Sequence, residues 1–166
     1  MINSETFREA MTRFAGSVTA ITTMDDHGPA GLIATSVCSL SADPPTLLAC
    51  INRSASAHDA ILRRGTFGVS LPSGGQQHIA HHFAARKGGD RFKNGEWTTL
   101  VTGAPLLRGA AVAFDCRLVA QHDAYTHTIL VGLIEEVVMG ADPSEDCLIW
   151  HRRSFANVQP AGAAPA

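Results

Sequence analysis

The spacing of apolar and polar positions changes period several times along the chain. Near the start, Phe7, Met11 and Phe14 recur at i, i+4 and i+7 behind Ser4 and Glu5. That spacing predicts a short helix over Ser4–Ala15, capped by Ser4 and ended by Gly16. Threonine, valine and isoleucine then dominate Val18–Met24, which predicts a strand, and Asp25–Pro29 predicts a turn. A second strand is predicted over Gly31–Ser39. Asp43-Pro44-Pro45 breaks the chain before Thr46–Ile51, an almost unbroken apolar run that suits a strand buried on both faces.

Further on, Ser56-Ala57-His58-Asp59 has the form of a capping box and predicts a short helix through Ala60, Ile61 and Leu62. Thr66–Leu71 reads as a strand closed by Pro72-Ser73-Gly74-Gly75. Gln76–Ala85 reads as a helix with Ile79 and Phe83 on one face, and Arg86–Glu96 as a polar loop. Two longer strands are predicted over Ala110–Gln121 and Thr126–Val138, with a short one at Cys147–Trp150. Six or seven strands with three short helices, and no regular strand–helix alternation, predict a mainly β protein. Its expected form is an antiparallel barrel with short inserted helices rather than a doubly wound sheet. The chain reads as one domain over residues 1–158, followed by a small-residue tail at 159–166 expected to be disordered.

Composition narrows the field of functions. The chain has 166 residues and a net charge of −2 from 13 Lys+Arg against 15 Asp+Glu. This gives no basic surplus for a nucleic acid. No apolar run approaches the length of a membrane span, and Met1–Glu5 lacks the basic and then apolar regions of a signal peptide. A cytoplasmic location without membrane or nucleic-acid partners is expected, so the glycosylation acceptor Asn52-Arg53-Ser54 is taken as unused. Cys38, Cys50, Cys116 and Cys147 form no close pair and are expected to be buried, reduced thiols.

The chain has no G-x-G-x-x-G after a predicted strand, no P-loop and no G-x-S-x-G elbow. The densest polar signal is Ile33–Ser39, one strand away from Cys50–Ser56. Small residues there let backbone N–H groups and hydroxyls approach a flat or phosphorylated ligand, and Arg53 offers a fixed positive charge. The same segments would serve equally as strand-end turns with capping serines and a solvated arginine. His78, His81 and His82 have a spacing that can gather on a metal, but no carboxylate or cysteine nearby completes a set; a solvated helix face is the alternative, and no metal is expected. His127 opens an apolar strand, either as a strand-edge histidine or as a proton source at a barrel mouth.

Taken together, these segments resemble the flavin reductase family that feeds two-component monooxygenases. The likeness extends from about Thr6 to Val158. It runs through Phe7–Met11, Gly31–Ser39, Pro44–Leu48, Asn52–Ser56, Phe67–Leu71, Asp90–Phe92, Gly103–Leu107, Phe114–Cys116, His127–Gly132 and Leu148–Trp150. It is nearest to the branches serving hydroxyphenylacetate hydroxylation and pyrimidine-ring utilisation. The resemblance implies an FMN-binding split barrel, a homodimer, and oxidation of NADH or NADPH with reduction of FMN or FAD for a separate monooxygenase. A barrel that keeps its FMN and acts on its own organic substrate, or a non-catalytic flavin-binding protein, are the other activities such a barrel supports.

Carried onto this chain, the resemblance implies that Thr35, Ser36, Val37 and Cys38 contact the isoalloxazine edge. Asn52, Arg53 and Ser54 would hold the ribityl phosphate, with Ser56 at the following helix. Arg91 and Phe92 would close over the flavin, and His127 would sit where nicotinamide docks. Trp150 and Phe155 stand where relatives carry tyrosine or phenylalanine.

Overall fold

A computed structural model describes residues 1–158; the tail expected at 159–166 lies outside the described residues. In chain order the elements are α1 (Ser4–Met11), β1 (Gly16–Ser17), β2 (Thr19–Asp25), β3 (Gly28–Ala34), β4 (Val37–Ala42) and β5 (Pro45–Asn52). Next come α2 (His58–Arg64), β6 (Thr66–Leu71), α3 (Gln77–Ala85), β7 (Trp97–Thr99) and β8 (Pro105–Leu107). The chain then forms β9 (Val112–Ala124), β10 (His127–Met139), β11 (Ile149–His151) and β12 (Ser154–Ala156). Every strand pairing is antiparallel, and the helices are short insertions, so the expected mainly β class holds.

The principal sheet has seven strands in the order β3-β2-β6-β9-β10-β5-β4. Its two edge strands, β3 and β4, are consecutive in the chain and are joined by Thr35 and Ser36 alone. Laid flat, seven strands would hold their edges about 29 Å apart at ~4.8 Å per spacing. The three Cα steps from Ala34 to Val37 reach at most about 11 Å. The sheet must therefore curl until its edges meet, and Thr35-Ser36 is the seam. The seam is tied to β5, the neighbour of β4: Cys50 N–H donates to Ser36 O at 2.9 Å and Ser36 Oγ donates to Cys50 O at 2.7 Å, continuing the β4–β5 ladder.

Inside the curl, Ile21, Ile51, Phe67, Val69 and Leu130 are buried together with Ile61 of α2, which packs into the barrel. Gly132 allows this closeness, because a Cβ there would stand 2.5 Å from Phe67 Cζ. A smaller sheet, β1-β11-β12, lies beside the seam, where a Cβ on Gly16 would meet the Thr35 side chain at 3.0 Å. α3 lies on β3, with Phe83 filling the space that Gly31 leaves open.

Several expectations are corrected. The first helix stops at Met11 and is capped by Asn3, whose Oδ1 accepts from Thr6 N–H at 2.8 Å; Gly16 belongs to β1. Its apolar residues Phe7 and Met11, and Phe14 beyond it, are exposed. The strand expected over Gly31–Ser39 is two strands, divided at the seam. The capping box at Ser56 does not form: α2 begins at His58, its N-cap is Ala57 and no side chain caps it. The formed box is Ser73 with Gln76, ahead of α3. The expected loop Arg86–Glu96 holds a 3₁₀ turn, Gly88–Lys93. Among the described residues twelve strands replace six or seven: the strand expected at Cys147–Trp150 is found as β11, the β3–β4 division adds one, and β1, β7, β8 and β12 are only two or three residues long and leave no periodicity to read. Of the cysteines only Cys116 is buried; Cys38 is exposed, and Cys50 and Cys147 are half-buried.

Candidate functional site

The seam positions most of the residues singled out in the sequence. Thr35 and Ser36 form the crossover and are exposed, and Val37 and Cys38 open edge strand β4. An edge strand carries backbone N–H and C=O groups with no strand beyond it, so this stretch offers backbone donors and acceptors to a ligand. Next to it, β5 ends at Asn52, which faces His127, the first residue of β10.

The loop after β5 is built from local turns. Asn52 Oδ1 accepts from Ser54 N–H at 2.9 Å and from Ser54 Oγ at 2.8 Å, an Asx turn that aims the loop outward. Arg53 N–H donates to Thr126 O at 3.0 Å, so the loop is fastened to the β9–β10 turn. The Arg53 guanidinium is half free: it reaches Asp123 at 2.6 Å, a residue the sequence reading did not single out. Ser56 is exposed and lies two residues before α2. His127 is half-buried, with Nδ1 2.9 Å from Thr126 Oγ1.

Beneath this loop lies a buried link, also unrecognised in the sequence. His58 sits at the start of α2, with Nδ1 2.7 Å from Asp59 Oδ1 and Nε2 2.9 Å from Thr128 Oγ1. An ionised carboxylate only accepts, so Nδ1 carries the proton, and in the neutral ring Nε2 accepts from the Thr128 hydroxyl. Thr128 follows His127 directly. His58 thus joins the end of the Asn52–Ser56 loop to the strand that presents His127.

Arg91 and Phe92 are not brought to this group within one chain. Phe92 packs against Phe83 and Trp97, with ring centroids 5.0 and 4.9 Å away, and lines a hollow with Met24 and Pro29. Pro29 is at the opposite end of β3 from Thr35. Arg91 Nη1 donates to Phe83 O at 2.6 Å, its Nε has no partner among the described residues, and burial lowers its pKa. His78 and His81 are exposed on α3, while His82 Nε2 is 3.0 Å from Asp90 O; among the described residues no three metal-ligating side chains gather.

On the other side of the seam lies a cleft of about 360 Å³ lined by Val18, Ile33, Thr35, His81, Trp150 and Phe155. Its two aromatic rings meet edge to face at 5.1 Å. Small side chains, free backbone groups and one guanidinium on one side of the seam, with an apolar cleft on the other, suit a planar heterocycle carrying a phosphate. A flavin fits that donor set.

The comparisons agree. The family described as the flavin reductase like domain matches residues 11–159, and the chain belongs to it. It is 43% identical over 144 residues to the FMN reductase (NADH) RutF 2 of Methylorubrum extorquens strain PA1, covering 85% of this chain and 84% of that protein. Among solved structures it is similar to BorF, the flavin reductase component of a bacterial two-component tryptophan halogenase. That match has a TM-score of 0.84 and 34% identity, and it covers 94% of this chain and 98% of BorF. It is also similar to the NADH:FAD oxidoreductase SgcE6 of Streptomyces globisporus, with a TM-score of 0.87 and 27% identity over 96% of this chain and 98% of that one. Among the described residues no helix is long and apolar enough to cross a membrane.

Proposed function

We propose that the protein is an NAD(P)H:flavin oxidoreductase that reduces FMN or FAD and supplies the reduced flavin to a separate flavin-dependent monooxygenase. The observation that carries this reading is the seam, where Thr35–Cys38, Asn52–Ser54 and His127 converge from three parts of the sequence. Family membership and the names of its relatives support the same activity.

When bound, the flavin supplies the ring that accepts hydride from the nicotinamide coenzyme. The chain's own residues bind and orient. Arg53 would exchange Asp123 for the ribityl phosphate, aided by Ser54 and Ser56, while Asn52 holds the turn. Backbone groups of Thr35–Cys38 would hold the isoalloxazine edge and would favour negative charge there. His127 docks the nicotinamide carboxamide at the rim. No protein nucleophile takes part, so rate depends on holding two planar ligands in register.

The protein acts as a homodimer in the cytoplasm, as a single domain over residues 1–158. Support for the dimer comes from exposed apolar residues on α1 and on edge strand β4, where Leu40 stands out in solvent. The test is oxidation of NADH and NADPH in air, with and without FMN, FAD or riboflavin. Turnover that saturates with added flavin is expected; no oxidation with any pair would refute the reading.

A further inference from the structure

The chain has one tyrosine, Tyr125, and it occupies a position that its side chain disfavours. Ala124 pairs with His127 across the β9–β10 ladder, so Tyr125 and Thr126 are the two central residues of the hairpin turn. The favoured two-residue turns take positive φ at the first central position and fill it with Gly, Asn or Asp. Tyr125 has φ of 56° there, an outlier for a bulky residue and one that costs stability. Its side chain is 99% exposed, so no packing within its own chain offsets that cost. Among the described residues the other non-glycine residues at positive φ, Arg152 and Arg153, are held by α1 and the turn after it. Arg152 N–H donates to Thr12 O at 2.9 Å, and Arg153 Nη2 donates to Glu9 Oε2 at 3.0 Å. A strained side chain with no partner in its own chain points to a partner outside it.

The surroundings of the turn define that partner. β5 ends at Asn52 opposite His127, so the turn projects past the end of β5 beside the Asn52–Ser56 loop. It is fastened there by Arg53 N–H, which donates to Thr126 O at 3.0 Å, and by the contact of Arg53 with Asp123 at 2.6 Å. Thr126 Oγ1 in turn stands 2.9 Å from His127 Nδ1. Tyr125 is therefore carried on a held turn at the rim of the site, with a ring free to swing. A nicotinamide docked at His127 and stacked on a flavin has one face covered by that flavin and the other open to water. An aromatic ring laid on the open face removes apolar surface from water and stacks in the offset geometry such rings prefer. We propose that Tyr125 is a contact residue for the nicotinamide coenzyme, its ring covering the outer face of the nicotinamide. This rests on the reductase reading and adds to it a determinant of coenzyme affinity that trades against the stability of the turn.

The single tyrosine permits a direct test. Protein labelled with 3-fluorotyrosine has one fluorine resonance, that of Tyr125. In the protein loaded with FMN, titration with NAD+ is expected to shift that resonance saturably. No shift with NAD+, or a shift already complete with FMN alone, overturns the proposal. So does a resonance that moves with protein concentration and ignores NAD+, which would place Tyr125 between copies of the chain. Variants add a pair of opposite signs. Tyr125→Gly should raise the melting temperature of the ligand-free protein by about 1–4 °C, because glycine accepts the φ. The same change should raise KM about three- to tenfold for whichever of NADH and NADPH is turned over. Tyr125→Phe keeps the ring and should stay within about twofold of wild type. A lower melting temperature for Tyr125→Gly, or an unchanged KM, overturns the proposal. Assaying the same preparation for turnover separates the two readings. Turnover without an NAD+ shift removes Tyr125 alone, whereas an NAD+ shift without turnover of any flavin keeps Tyr125 and removes the reductase reading.

Discussion

Arg53 reaches Asp123 at 2.6 Å, and that contact competes with any anion the guanidinium is asked to hold. Both side chains are largely solvated, at 43% and 84% exposure, so the pair is weak and easily exchanged. Arg53→Ala should weaken FMN binding by about 1.5–3 kcal/mol, the loss of a charged hydrogen bond. Asp123→Asn should do the reverse and tighten FMN by roughly two- to five-fold, the size of an exposed ion pair. Fluorescence titration of FMN into both variants checks the pair of signs; equal affinities would take Arg53 out of the site. The cysteines give a second contrast. Burial, with Asp115 and Glu135 adding to it, pushes the Cys116 thiol up to about 12, so near neutral pH it stays protonated and unreactive. Cys38 is exposed at the seam. Alkylation near pH 8 followed by mass spectrometry should mark Cys38 first and Cys116 only after denaturation, and prior FMN binding should slow the Cys38 reaction alone.

At the scale of elements, what could be read in advance depended on how each segment is buried. β5 was legible from its almost unbroken apolar run, although Leu47, Ala49 and Ile51 are buried while Leu48 and Cys50 on its other face are half-buried, and β9 and β10 because they are 13 residues each. The division between β3 and β4 was not, since Thr35 and Ser36 have no composition that breaks a strand. The break comes from closure of the sheet, a property of its edges. The same holds at the site. Hydroxyls, Asn52 and Arg53 were recognisable by type, whereas Asp123 enters through register across the hairpin. His58 was read as part of a cap because Ser56 and Asp59 have the right spacing; tertiary contact with Thr128 overrides that local pattern. His58→Ala removes this contact and leaves the buried Thr128 hydroxyl unpaired, so stability should drop by about 1–3 kcal/mol. Urea unfolding should show a lower midpoint at unchanged slope. If the link also holds the loop against β10, FMN affinity falls in the same variant at temperatures where it is fully folded; a purely structural role leaves it unchanged.

Seen across the whole molecule, the separation of Phe92 from the seam has a consequence for assembly. Phe92 stands beside Pro29 at one end of β3, and Thr35 follows the other end, six residues or about 20 Å away along the strand. If Phe92 closes over a flavin held by Arg53, it reaches that flavin from a second copy of the chain. The exposed edge β4 and the apolar residues of α1 provide surface for such a copy. This arrangement predicts complementation. Phe92→Ala and Arg53→Ala are each impaired alone, yet a mixed dimer of the two holds one site with both lesions and one with neither. After mixing, unfolding and refolding in equal amounts, half of the dimers are mixed, and reductase activity should recover to about a quarter of wild type. Were each site built from a single chain, every site in the mixture would keep one lesion and no recovery would follow. Sedimentation of the same samples distinguishes that outcome from failure to exchange subunits, because differently sized tags on the two variants reveal the mixed species directly.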